Sequence, residues 1–386
     1  MPLYRRSESW RDWYNPLRGL TLARLLTMED QADRGEFADL QWLWHHMGRV
    51  DVTIQAARAR RLAFVDTLDY QIKVDDKADP ALAAAQQGFL QYAYSRISNF
   101  KAATKHLAAA IFDGYAHAEK VRGGLGGIIT RLDVIPPWYW CRENTTGRWL
   151  FNAKAESTPK NAELVDQTRL VTMQAEPINL ALGRQFYAKQ LCMADWDTAL
   201  ENGSLPNVFF VAPPGQDTEA KMLEFAALAS SMVSDGRGAL QHGGDVKTVD
   251  LGARSRLPYK DRIDYCDRQI VLAATGGLLT MLTESGSGTL AGGAHNDGLM
   301  DLARSDAALL SECYQRQIDA DLLRRFFPGR PRCAYFEFEI PQRTNVSELL
   351  TAVSNLSWIN KTVDQKWLAE KTGMKIIDMP PKEASA

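Results

Sequence analysis

The chain has no apolar run near the roughly 18 residues that a membrane-crossing helix needs. Its first residues, MPLYRRSESWRDWYNP, carry no signal-peptide core, so the expectation is a soluble chain made in a cytoplasm. Cysteine is scarce and scattered. Cys141, Cys192, Cys266, Cys313 and Cys333 form no CxxC pair, which speaks against a disulfide framework or a zinc knuckle and for reduced, packed thiols. An excess of positive charge is missing too. With 45 Lys and Arg against 47 Asp and Glu, the net charge is −2, and a chain that grips duplex DNA with its whole surface is excluded. Local basic faces stay open.

Catalytic signatures are absent as well: no Walker A sequence, no HExxH, no GxSxG elbow and no strand-linked GxGxxG. The six histidines (His45, His46, His106, His117, His242, His295) are dispersed. The adjacent pair His45–His46 points about 100° apart on a helix and makes poor metal geometry. What is present is enough to build a core: 386 residues, 45% hydrophobic and 24% charged, a size for two or three domains of about 100–200 residues each.

Periodicity divides the chain. The first 35 residues read as an arm with a short helix. Glu36 to about Asp66 is helical with a break at Gly48; Val50, Ile54, Ala57, Leu62 and Val65 share one face, and Arg58, Arg60 and Arg61 fall elsewhere. Leu68–Val74 alternates as a strand with one wet face. Asp79-Pro80 starts a helix, and the alanine-rich stretch to about Ala110 holds two. Strands follow: one from Tyr115, then Leu125–Ile135, a hairpin with arms Trp138–Arg142 and Arg148–Phe151, and Leu170–Gln174.

The pattern changes at Pro177. Ile178–Leu200 and Pro258–Thr283 predict two long helices of similar length, flanking an insert with strands Asn207–Val211 and Val246–Leu251 and a helix opened by Asp217. The second carries only a thin apolar stripe, Ile263, Cys266 and Ile270, amid charge. Such a pair gains by packing against copies of itself. A glycine-rich stretch follows, then a helix of about 30 residues from Asp297 to Phe327, a strand Cys333–Ile340, and two short helices, Val346–Leu356 and Asp364–Lys371. No internal repeat is visible.

Three segments invite a chemical reading. Asp261, Asp264 and Asp267 recur every third residue and suggest metal ligands of a nucleic-acid enzyme, but Lys260, Arg262 and Arg268 interleave them, which fits a salt-bridged face. Asp319 and Asp321, among Arg316, Arg324 and Arg325, take the same reading. Glu284–Asn296, rich in glycine and hydroxyls before a helix, invites a phosphate cradle; a helix precedes it and it has no lysine, so a loop between two long helices fits better. The tryptophans near Trp10–Trp44 and Trp138–Trp149 suit core and subunit contacts more than base stacking.

Taken together, three stretches resemble the Mu-like phage portal proteins. They are DVTIQAARARRLAFVDTLDYQIKV from Asp51, MADWDTALENGSLPNVFFVAPPG from Met193, and DRQIVLAATGGLLTMLTESGSGTLAGGAHNDGLMDLARSDAALLSECYQRQIDADLLRRFFPGRPRCAYFEFEIP from Asp267. The resemblance runs from about Asn15 to Pro380 and rests on the order of these segments, with no single diagnostic motif.

The resemblance implies an α+β portal fold. Residues 1–177 would form an α/β wing, 178–200 and 258–283 two long stem helices, and 201–257 a small α/β clip. A tunnel loop over 284–296 would include Ser285, Gly286, Ser287, Gly288, Thr289, Gly292 and Gly293, before a wing return helix and strand over 297–341 and a small helical region over 342–386. The part after Pro341 is short for a crown, and the stretch between Phe151 and Pro177 looks trimmed. The implied function is a ring, usually of twelve copies, at a capsid vertex, assembled in the host cytoplasm. Its implied partners are further copies of itself, double-stranded DNA irrespective of sequence, the terminase large subunit, a head–tail adaptor, and the major capsid or scaffold protein, with no membrane. No enzymatic activity, metal or cofactor is implied. A channel must attract a polyanion weakly enough to let it slide, which suits a near-neutral chain whose few basic residues repeat by symmetry. Arg184, Lys189, Lys260 and Arg262 are the candidates to line it. Another head–tail connector ring is the alternative.

Overall fold

A computed structural model describes residues 14–123, 127–160, 162–203, 207–211, 245–249, 258–277 and 289–339, with isolated residues within 218–227 and 351–368. The expected α+β class is observed: helices packed around small antiparallel sheets.

Helix α1 (Leu22–Asp33) starts where the Thr21 hydroxyl accepts from the Arg24 N–H at 3.2 Å. Gly35, at φ +89°, then lets the backbone approach the hairpin: its carbonyl accepts from the Arg142 N–H at 2.8 Å, and a Cβ there would lie 2.2 Å from the Arg142 carbonyl oxygen. Helices α2 (Ala38–Val50) and α3 (Val52–Leu62) meet at Asp51, whose carboxylate accepts from the Ile54 N–H at 3.0 Å. The break predicted at Gly48 therefore falls three residues later. A mid-helix glycine costs about 1 kcal/mol, which α2 tolerates, whereas the aspartate cap fixes a new start worth about as much.

A short 3-10 turn leads to β1 (Asp69–Val74). Helix α4 (Pro80–Ser95) begins as predicted, with Pro80 in its first turn and Asp79 accepting from the Ala81 N–H. Helices α5 (Phe100–Ala108) and α6 (Ala110–Asp113) follow.

The central strand is β2 (Tyr115–Gly123), flanked antiparallel by β3 (Ile128–Ile135) and, from later in the chain, by Leu170–Gln174. Its alternation serves two buried faces. Ala116 and Ala118 turn to the main core, where small side chains admit close helices. Tyr115 and His117 turn to an aromatic layer built by β4 (Trp140–Arg142) and β5 (Trp149–Phe151). The predicted hairpin is thus present with shorter arms, and β6 (Glu163–Leu164) pairs with β5 as a third strand. Leu170–Gln174, the predicted last strand, is β7.

Next come α7 (Ile178–Gly203), the antiparallel pair β8 (Asn207–Val211) and β9 (Asp245–Val249), and α8 (Tyr259–Thr275). The similar lengths expected for the two long helices are not observed: they have 26 and 17 residues. Gly276, left-handed at φ +69°, ends α8, and its N–H closes on the Leu272 carbonyl at 2.9 Å. Helix α9 (Thr289–Tyr314) starts earlier than predicted, so Thr289, Gly292 and Gly293 lie in a helix and not in a loop. Strong helix formers beside the two glycines (Leu290, Ala291, Ala294) offset their cost of about 1 kcal/mol each. Ser285, Gly286, Ser287 and Gly288 lie outside the described residues, as do Asp217, most of the predicted C-terminal helices and the part after Pro341 that bears on a crown.

The helical path continues through a π turn, Gln315–Asp319, into α10 (Ala320–Phe326), and β10 (Ala334–Glu339) then pairs antiparallel with β1 in the register Ile72↔Phe336. The π turn aims Gln317 at the open edge of β7. Its side-chain oxygen accepts from the Thr172 N–H and its amide donates to the Thr172 carbonyl, each at 2.7 Å, as a strand residue would. The same turn brings Asp319 inside, which corrects its expected place on a charged face. The carboxylate is 2% exposed and accepts from the Tyr94 hydroxyl at 2.7 Å and the Phe336 N–H at 2.8 Å. Asp321 does keep arginine partners, Arg122 and Arg325.

Candidate functional site

Helices α7 and α8 pack against each other, and burial shows how they leave the body. On α7 the first half is anchored by Leu182 and Phe186, while no residue from Gln190 to Leu200 is buried. On α8 the later half is anchored by Cys266, Ile270, Val271 and Ala274, while Lys260, Asp261 and Arg262 are exposed. One helix departs and the other returns, so the pair is antiparallel, with a far end left exposed by the described residues.

The near end is held by ions and amides. Lys189 of α7 donates to Asp267 of α8 at 2.6 Å, reaches Asp51 at 2.9 Å, and lies 3.4 Å from the Thr53 hydroxyl. Burial disfavours the charged ammonium, but the hydrogen bonds to Asp267 and Asp51 outweigh it and raise the lysine's pKa. At the start of α7, Asn179 donates to the Asp113 carboxylate at 2.8 Å, which also takes a two-pronged pair from Arg58 at 2.7 and 2.9 Å.

A second clamp grips the end of α8. Arg61 donates to both carboxylate oxygens of Asp306 on α9, at 2.8 and 3.0 Å, and to the Ala274 carbonyl at 3.0 Å. Helix α3 thus touches the pair twice, through Asp51 at its cap and Arg61 in its last turn. Arg58 and Arg61 are therefore turned into the structure, contrary to the outward phase expected of them; long side chains reach around a helix to a buried carboxylate.

Of the expected channel residues, Lys189 is only 7% exposed, and its ammonium meets Asp51, Asp267 and Thr53 inside the subunit. The guanidinium of Arg184 is exposed but pairs with Glu29 at 2.6 Å, which raises its pKa. Lys260 and Arg262 are exposed, and neither forms an ion pair among the described residues; Arg262 lies over the Tyr265 ring, 5.2 Å from its centre.

The chemical alternatives gain nothing from the geometry. Among the described residues no cluster of three or more His, Cys, Asp or Glu could hold a metal, and Asp267 is engaged by Lys189. Burial pushes the thiols of Cys141 up to about 11 and Cys313 up to about 12, which makes them poor nucleophiles. Trp42, Trp44, Trp140 and Trp149 are buried, as core residues. A cleft of about 380 Å³ is lined by His45, Arg49, Arg58, His106 and Trp138. There, burial first and His46 second lower His45 to about 4, so it is neutral at physiological pH. No described helix is long and apolar enough to cross a membrane.

Comparison with known proteins gives this arrangement its context. The family described as "Portal protein of Mu bacteriophage" matches residues 41–374. A Haemophilus influenzae relative, "Mu-like prophage FluMu protein gp29", is 23% identical over 384 residues, covering 94% of this chain and 72% of its own length. Two solved structures share the fold. One, from "Virion of native gene transfer agent (GTA) particle", is 11% identical at a TM-score of 0.50, covering 90% of this chain and 93% of that one. The other, from "Neck of empty GTA particle computed with C6 symmetry", is 12% identical at a TM-score of 0.50, covering 83% and 89%. With the family match taking in most of its length, the chain belongs to the portal protein family of Mu bacteriophage.

Proposed function

We propose that this protein is the repeating subunit of a portal ring at a capsid vertex, through which double-stranded DNA is packaged and later released. The observation that carries this is the helix pair fixed at its root by Lys189 and Arg61, whose far half finds no cover among the described residues. A lone helix pair with exposed Leu191 and Leu200 is unfavourable in water; copies around an axis bury such faces and leave a hole.

In this reading, residues before Ile178 with α9, α10 and β10 form the wing, α7 and α8 the stem, and residues 201–257 the clip. Ser285–Gly288, in the sequence between α8 and α9, is the proposed stretch nearest the passing DNA. Lys260 and Arg262 are the proposed channel residues, since Arg184 is neutralised by Glu29 and Lys189 is enclosed. Two cations per copy, spread around a ring of about twelve, attract phosphate without the many simultaneous contacts that would stall sliding. Such a ring would dock the terminase large subunit during filling and a head–tail adaptor afterwards, and would sit among copies of the capsid or scaffold protein. Its work is structural and requires no catalytic group.

Electron microscopy of the purified protein tests this directly. Winged rings with a central hole of duplex width are expected; a compact monomer at high concentration would refute the proposal.

A further inference from the structure

The two long helices carry outer stripes whose apolar members stay exposed among the described residues. On α7, Leu180, Arg184, Leu191 and Asp195 share one side, spaced as neighbours on a helix surface and opposite the buried Leu182 and Phe186. On α8, Asp261, Tyr265, Arg268 and Leu272 form the matching stripe opposite Cys266 and Ile270. Leu191 is 52% exposed and Tyr265 47%, both high for large apolar side chains beside a packed helix pair.

The Lys189–Asp267 bond sets these stripes in register. It is 2.6 Å long and defines a common level on the two antiparallel helices. Leu191 lies two residues beyond that level on α7, and Tyr265 two residues beyond it on α8, about 3 Å each at 1.5 Å per residue. Both therefore stand at one height on opposite outer faces. Rotation about a ring axis leaves height unchanged, so for helices running along the axis, surfaces of adjacent copies meet level with level.

We infer that Leu191 of one copy packs against Tyr265 of the next, forming the seam that closes the ring at the stem. The inference rests on the ring reading and goes beyond it by naming the contact and its direction: the α7 face of each subunit meets the α8 face of its neighbour. Such a contact is heterologous, with two different surfaces that each subunit uses once. Leu272, nearer the root, comes level with the aliphatic stem of Arg184 and extends the seam inward. Farther out, Asp195 and Asp261 share a height, about 9 Å beyond the Lys189 level. They are the like-charged pair that the apolar contact has to outweigh, and salt screening assists it.

The test uses the full chain and four preparations: wild type, Leu191→Glu, Tyr265→Lys, and an equimolar mixture of the two variants. Both substituted positions are exposed, so each variant should keep the wild-type circular dichroism and melting of the subunit. Each variant alone sets a charge against an apolar partner and should lose rings. In the mixture, the acidic α7 face of the Leu191→Glu variant meets the basic α8 face of the Tyr265→Lys variant. The unaltered α7 and α8 faces meet each other at the next seam, so alternating rings should reappear. Rings that form normally from either single variant overturn the seam, as does a mixture that fails to recover them. A wild type that forms no rings refutes the ring reading itself, which separates the two failures.

Discussion

Arg61 and Asp306 lie 245 positions apart and meet through two parallel bonds at 2.8 and 3.0 Å, with side chains only 10% and 4% exposed. The third bond of Arg61, to the Ala274 carbonyl, ties this pair to the last turn of α8. Three elements from distant parts of the chain are thus fastened by one guanidinium.

The first prediction concerns that fastening. Arg61→Met leaves a carboxylate buried without its counter-charge and should cost roughly 3–5 kcal/mol. Adding Asp306→Leu should recover part of the loss, because the lone charge is gone. Urea unfolding of the single and double variants measures this. A double variant as unstable as the sum of the singles would show that the two residues do not act as a pair.

Lys189 gives a second prediction. Lys189→Met would leave Asp51 and Asp267 facing each other without a cation, and about 3 kcal/mol should be lost. The folded lysine's pKa is raised above its ordinary 10.5, so its contribution is fully present below pH 10.5 and disappears as pH rises through the folded value. Alkaline titration of stability should therefore show a drop in the wild type that the Met variant lacks. Hydrogen exchange should also quicken at the root of α7 and α8 in that variant, and unchanged exchange there would count against the hub.

Much of this architecture is written locally and some of it is not. Asp79-Pro80, the short stretch Leu170–Gln174 and the run Cys333–Ile340 each specify their element within a few residues, and each element is found where expected. The end of α8 at Gly276 is open to misreading because Leu278 and Leu279 continue an apolar pattern past the glycine. The inward turns of Arg58, Arg61 and Lys189 have no local sign. Their partners Asp113, Asp306, Asp51 and Asp267 lie 55 to 245 positions away, and helical phase assigns a charged side chain to solvent by default. The π turn at Gln315–Asp319 breaks the 3.6-residue period on which phase depends, so periodicity puts Asp319 on the wrong side.

Asp319 carries a third prediction. Burial pushes its carboxyl up to about 6 from 3.8, despite hydrogen bonds from Tyr94 and Phe336 that favour the anion. The folded state thus binds a proton that the unfolded state has released between pH 4 and 6, and stability should fall as pH rises through that window. At 1.36 kcal/mol per unit the fall is roughly 3 kcal/mol. Asp319→Asn should flatten this part of the stability profile. Equal slopes in the variant and the wild type between pH 4 and 6 would mean the carboxyl titrates as an ordinary one.

His117 should act in the opposite direction. Its ring stacks on Trp140 with centres 4.0 Å apart, and neither ring nitrogen has a hydrogen-bond partner among the described residues. Burial above all, and then His106, hold its pKa well below 6.5. The unfolded chain takes up a proton there that the folded chain refuses, so stability falls as pH drops below 6.5. In His117→Phe two effects compete near neutral pH: unpaired buried nitrogens costing about 1–3 kcal/mol are removed, while a larger ring enters a tight stack at a cost of about the same size. They should leave the variant within about 1 kcal/mol of the wild type at pH 7.5. At pH 5 only the second effect is unchanged, because the wild type now also bears the cost of excluding a proton. The Phe variant should therefore gain on the wild type as the pH is lowered, by melting temperature or urea midpoint. Parallel curves from pH 7.5 to 5 would show that His117 is not the group whose protonation the fold resists.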